Sequence, residues 1–106
     1  MELSRAENQK MNRAELLNKL SEFKKNNGEK YGILAIGIFG SFARNQASRL
    51  SDADIVVKTK TPDPFTMVHI KESLEEQLRI PVDIVRFRET MNPFLKRRIE
   101  KEAVYV

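Results

Sequence analysis

Nine consecutive residues, Tyr31 to Phe39 (YGILAIGIF), are apolar, mostly β-branched or aromatic, and too few for an ordinary helix. Such a run is a strand buried on both faces, so the chain must supply a covering layer on each side of a sheet. Two further runs, "ADIVVK" from Ala53 and "VDIVRF" from Val82, read as partner strands. The covering layers are also legible. Asn12 followed by Glu15 resembles a capping box, and Leu16, Leu17, Leu20 and Phe23 repeat at helical spacing. This predicts a helix from about Arg13 to Lys25, stopped by Asn26, Asn27 and Gly28. Met67, Ile70, Leu74 and Leu78 mark a second amphipathic helix, Phe65 to Leu78, ended by Pro81. Asn92 and Pro93 supply the cap and first turn of a last helix through roughly Glu102, with Leu95 and Ile99 facing inward. The alternation predicts an α/β fold: a small mixed β-sheet flanked by helices.

At 106 residues this is the size of one domain. We expect a polar lead-in over residues 1–11, with Met11 an alternative start, and a single folded domain over 12–106. The absence of cysteine excludes a disulfide framework and a thiolate metal site, and makes a reducing, cytoplasmic setting the expectation. No apolar run approaches the ~20 residues of a membrane span, and the first ten residues lack the apolar core of a secretory signal. The net charge of +4 is compatible with an anionic partner but does not specify one.

The chemistry gathers in "FGSFARNQASRLSDADIVV", Phe39 to Val57. Gly40 and Ser41 stand where the first strand ends and a short helix can begin. A glycine there lets the backbone turn sharply, and free amides beside a hydroxyl suit a phosphate. Taken alone, the pair is more often ordinary turn chemistry. Asp52 and Asp54 carry more weight. Residues i and i+2 of a strand share a face, so both carboxylates stand on one side, with Ala53 and Ile55 turned the other way. Like charges ~4 Å apart repel by ~1 kcal/mol in water and several times that in a drier site. A cation between them removes that cost, and magnesium prefers such oxygen donors. The plain alternative is a Ser51–Asp52 turn with Asp54 facing solvent. Asp83 interrupts the third apolar run in the same way. If that strand lies beside the second, Asp83 joins the other two; otherwise it pairs with Arg86 or Arg88.

Gly40-Ser41, ten intervening residues, then Asp52-x-Asp54 resembles the nucleotidyltransferase motif of the DNA polymerase β superfamily, and more closely its small stand-alone members, the minimal nucleotidyltransferases. The resemblance spans roughly Asn12 to Val106. It implies a palm-like mixed sheet with ATP as substrate and Mg2+ as cofactor. It also implies Gly40, Ser41 and Arg44 at the triphosphate, Asp52 and Asp54 on the metal, and Asp83 completing the cluster and helping to deprotonate an attacking hydroxyl. Asn45 departs from the glycine usual after the Ala-Arg pair, here Ala43 and Arg44; asparagine tolerates left-handed backbone, so the turn can survive. The family resembles the antitoxin half of a two-component module. The resemblance therefore implies AMP transfer from ATP to a protein hydroxyl, a tyrosine of a HEPN-domain toxin, as acceptor and complex partner. The alternatives are neutralisation by occlusion without catalysis, and transfer to a small molecule.

Other residues carry less. Arg97, Arg98 and Lys101 read as the solvated face of the last helix, so direct nucleic-acid binding is not expected. His69 reads as solvated or half-buried, Tyr31 and Tyr105 as packing residues, Phe39 and Phe42 as core. Arg86 and Arg88 are candidates for phosphate contact or for ion pairs with acids.

Overall fold

The computed structural model describes residues 11–47 and 52–106. Asn12 caps helix α1 (Arg13–Tyr31): its side chain accepts from the Glu15 amide while Glu15 returns the bond to the Asn12 amide. β1 (Ile33–Phe39) leads into a single helical turn, α2 (Gly40–Ala43). β2 (Ala53–Thr59), α3 (Pro64–Leu78), β3 (Val82–Arg86), α4 (Pro93–Glu102) and a two-residue β4 (Val104–Tyr105) follow. The sheet order is β3-β2-β1-β4. β1 runs antiparallel to β2 and β4, and β2 runs parallel to β3, so the sheet is mixed as expected.

Strand alternation sorts the side chains into two layers. On one face Ile36, Ile38, Ala53, Ile55, Val57 and Val82 meet Leu16, Leu20 and Phe23 of α1 and Ile70, Leu74 and Leu78 of α3. On the other, Phe39 and Val56 meet Ile99 of α4, with Val85, Phe87 and Leu95 at the margin. Met11 also packs on the larger cluster. Among the described residues, no helix is long and apolar enough to cross a membrane.

Three boundaries differ from the sequence reading. α1 does not stop at Lys25; it runs through Asn26, Asn27 and Gly28 to Tyr31 and ends at Gly32, whose φ is 65°. Asparagine and glycine each cost a helix interior up to ~1 kcal/mol, and tertiary contacts override that here. Phe23 stacks on Tyr31 at 6.3 Å between ring centroids, and the Tyr31 hydroxyl lies 3.3 Å from that of Ser73. Tyr31 therefore closes the helix rather than opening the strand. The second difference is at the end of α3, where the chain turns at Arg79 (φ 63°), before Pro81 is reached. The third is β4, for which the sequence shows no strand pattern. It pairs with Gly37 and Ile38, and the Val106 amide donates to Ile36.

β4 depends on the missing side chain at Gly37. A Cβ there would lie 2.5 Å from the Val104 carbonyl oxygen and 2.9 Å from Tyr105 Cα, both backbone atoms that cannot swing aside. Gly37→Ala is expected to push β4 off the sheet and cost about 1–3 kcal/mol. A urea midpoint by circular dichroism checks this; an unchanged midpoint rules out that role.

Candidate active site

The parallel register pairs Asp54 of β2 directly with Asp83 of β3. Ala53, Ile55 and Val57 are fully buried on the opposite face, so alternation turns Asp54 toward the α4 side. Direct neighbours in a ladder present their side chains to the same face, and Asp83 stands beside Asp54. Asp52, just before β2, is exposed and close enough for its charge to act on Asp54. Burial holds the Asp54 carboxyl above the usual carboxylate range, and the negative charges of Asp83 and Asp52 push it further; Arg98 and Arg44 pull it partway back.

The turn beside this pair is shaped by Gly40. Its φ of 74° is a left-handed value, and a Cβ would fall into the Asp54 carboxylate, 3.0 Å from Cγ. Glycine is required on both counts. Asn45 closes the far end of the turn with φ 61°, so it does adopt the left-handed backbone that glycine would have supplied. The Gln46 amide donates to the Ser41 carbonyl at 2.8 Å. Phe39 and Phe42 are buried, as their reading as core required.

Arg44 and the Gly40 amide share a partner that the sequence did not suggest. Glu102 Oε1 accepts from the Gly40 N–H at 3.1 Å and from Arg44 Nη1 at 3.1 Å, and Arg98 Nε lies 3.6 Å away. The guanidinium of Arg98 also covers the Phe39 ring at 5.6 Å. Arg98, read as solvated, therefore belongs to the site. Glu102 thus places one anionic oxygen on the Gly40 amide and against two guanidiniums. The only trace in the sequence is the four-residue spacing of Arg98 and Glu102.

The remaining candidates fall elsewhere. Arg86 Nε donates to the Thr59 hydroxyl, and Arg86 lies three residues along β3 from Asp83 with its side chain on the other face. Arg88 is exposed. Neither forms an ion pair with Asp83 among the described residues, which corrects that expectation. His69 is exposed, and Ser51 lies outside the described residues.

Among the described residues, no three His, Cys, Asp or Glu side chains are close enough to hold a metal ion between them. Magnesium does not require three. It commonly takes one or two carboxylates plus substrate phosphates, and a repelling pair of hard oxygen donors fits that habit.

The mixed sheet thus sets strand-borne acids beside a turn that only glycine can make. The profile of the nucleotidyltransferase domain matches residues 20–106, and the chain belongs to that family. Its likeness narrows to the minimal nucleotidyltransferases. A solved structure assigned to that group is 28% identical with a TM-score of 0.72, over 89% of this chain and 95% of the other. A protein of Methanocaldococcus jannaschii assigned to the protein adenylyltransferases is 38% identical over 94 residues, 88% of this chain and 96% of its own. Protein adenylyltransferase MntA of Thermococcus cleftensis is 33% identical over 82% of this chain and 88% of its own. A toxin–antitoxin structure with AMP-PNP is 25% identical with a TM-score of 0.69, over 83% of this chain and 69% of that one.

Two outcomes follow from the geometry. Glu102→Ala leaves the part-buried Gly40 amide without its partner and is expected to cost about 1–3 kcal/mol, whereas Glu102→Gln keeps an acceptor oxygen and costs less. Equal losses in urea titrations would place the role of Glu102 in charge alone. The raised Asp54 pKa has a sign of its own. The native state binds this proton more tightly than the unfolded chain, so stability falls as pH rises from the ordinary value of 3.8 through the raised native one. Asp54→Asn is therefore expected to raise the urea midpoint at neutral pH in EDTA and to gain nothing below the ordinary carboxylate range. A midpoint lowered at neutral pH contradicts this.

Proposed function

We propose that this chain transfers AMP from ATP to a protein hydroxyl, in the cytoplasm, as the antitoxin partner of a HEPN-domain toxin whose tyrosine is the acceptor. The observation that carries the reading is the register placing Asp54 against Asp83, beside a turn that only glycine can make. A relative carrying the name protein adenylyltransferase MntA supports the acceptor class, and a toxin–antitoxin neighbour with AMP-PNP supports the partner and the nucleotide.

Asp54 and Asp83 would hold Mg2+, with Asp52 adding negative charge near Asp54. When bound, the ion neutralises charge on the triphosphate and on the departing pyrophosphate. Gly40, Ser41 and Arg44 grip the phosphates: the amide and hydroxyl donate hydrogen bonds, and the guanidinium supplies positive charge. The acceptor oxygen attacks the α-phosphorus and forms the new P–O bond. The bond from that phosphorus to the oxygen bridging to the β-phosphate breaks, and pyrophosphate carries the electron pair away. Asp83 takes the proton from the hydroxyl. Most of the acceleration comes from alignment and from charges already in place.

Incubation of the chain with ATP, magnesium and a HEPN-domain partner is expected to add AMP to the partner, read by mass spectrometry. Asp83→Asn is expected to reduce that rate about 100-fold or more. EDTA is expected to abolish it. Full neutralisation of the partner by an Asp52→Ala, Asp54→Ala variant without any adduct would favour occlusion instead.

A further inference from the structure

β3 is an edge strand, and its hydrogen-bonding phase can be read from its two ends. The Ala53 amide donates to the Pro81 carbonyl, and the Phe87 amide donates to the Val57 carbonyl. In a parallel ladder this directs the backbone groups of residues 81, 83, 85 and 87 toward β2, and those of Val82, Ile84 and Arg86 outward. The Val82 amide is capped by Glu75 Oε2 at 2.9 Å. The outward N–H and C=O of Ile84 and Arg86 have no hydrogen bond to another described residue.

This edge is the floor of a groove of about 550 Å³. Ile84, Val85 and Arg86 line it in succession although their side chains alternate between faces, so what they share is the strand edge. Pro62, Pro64 and Met67 at the start of α3 form one wall; Met91 and Leu95 at the start of α4 form the other. The first turns of the same helices carry Phe65 and Phe94, 77% and 74% exposed. Natural edges are usually blunted by charge, proline or cover; here Glu75 caps the first outward amide and Arg86 carries charge, but among the described residues nothing covers the backbone of Ile84 and Arg86.

The charge of the groove selects its occupant. Asp63 is the one acid in the lining among the described residues, and its carboxylate is engaged by the amides of Phe65 and Thr66; Asn92 is likewise engaged by Phe94 and Leu95. Arg86 and Arg88 remain as the cations. A second copy of the chain would bring the same two arginines to the same edge. We infer that the β3 edge takes an extended, acidic segment of a protein partner as a fifth strand, its backbone bonded to Ile84 and Arg86 and its carboxylates facing Arg86 and Arg88. This goes beyond the transfer reading and does not depend on the acids at Asp54 and Asp83.

The test uses the whole chain in EDTA without nucleotide, so that failure of transfer cannot affect it. The probe is a fluorescein-labelled peptide alternating Glu and Val, with a Lys–Val peptide as control. The acidic peptide is expected to bind and to slow amide exchange at Ile84 and Arg86, with the Lys–Val peptide at least about tenfold weaker. Arg88→Glu is expected to weaken binding about tenfold, and Ile84→Pro, which removes an outward donor and no ladder bond, to abolish it. Absence of binding, equal binding of both peptides, or unchanged exchange at those two amides overturns the proposal. So does a dimer in sedimentation that Ile84→Pro disperses, which would assign the edge to a second copy. The exchange measurement on the unmodified chain decides the matter even if the proline variant does not fold.

Discussion

The pairing of Asp54 with Asp83 across a parallel ladder is the constraint on which the rest turns. Two like charges ~4 Å apart repel by about 1 kcal/mol in water and about 4 kcal/mol where the effective dielectric is near 20. The same alternation that brings them together buries Ala53, Ile55, Val57 and Val82 on the opposite face. Each large aliphatic side chain among these contributes about 1.5–3 kcal/mol, so the register is held by the apolar face against the repulsion of the acidic one. A slip of one residue would relieve the acids and expose the core. The acids are thus placed by residues that never touch them.

The turn at Gly40 and the end of α4 complete the site from the other side. Ile99 anchors α4 on Phe39 and Val56, and three residues later Glu102 reaches the Gly40 amide and Arg44. The result is a ring of alternating charge: Asp54 and Asp83, then Arg98 and Arg44, then Glu102. The two arginines favour the charged form of Asp54 while Asp83 and Asp52 disfavour it. In that balance a single carboxylate, Glu102, answers two guanidiniums, while the acids of β2 and β3 face one another.

Much of this was legible in the chain. The three strands, the Asn12 cap, the Asp52–Asp54 spacing and the position of Asp83 at the start of its run all rest on local periodicity, which a sequence displays. The neighbourhood of Asp54 and Asp83 required only that β2 and β3 be adjacent. What was not legible depends on contacts distant in sequence. Gly28 reads as a helix stop until Tyr31 is seen to stack on Phe23. Val104 and Tyr105 are too few for a strand pattern and become one only because Gly37 leaves room. Arg98 and Glu102 look like an exposed i,i+4 pair, and nothing local tells that their helix end lies over the Gly40 turn.

The last residues of the chain tie the site to the sheet. Glu102 is followed after one residue by β4, which closes the free edge of β1 and ends with Val106 bonded to Ile36 and to Lys24. A carboxylate held by the Gly40 amide and Arg44 is therefore only two residues from a strand held by few hydrogen bonds. Moving Glu102 off Gly40 moves the chain that enters β4, so the Gly40 contact and closure of that edge draw on one short segment. Among the described residues the opposite edge, β3, has no such segment and keeps its outward backbone groups at Ile84 and Arg86. Among the described residues, β1 is consequently covered by the chain itself on the side coupled to the turn, and β3 is left open on the side next to the acids of β2 and β3.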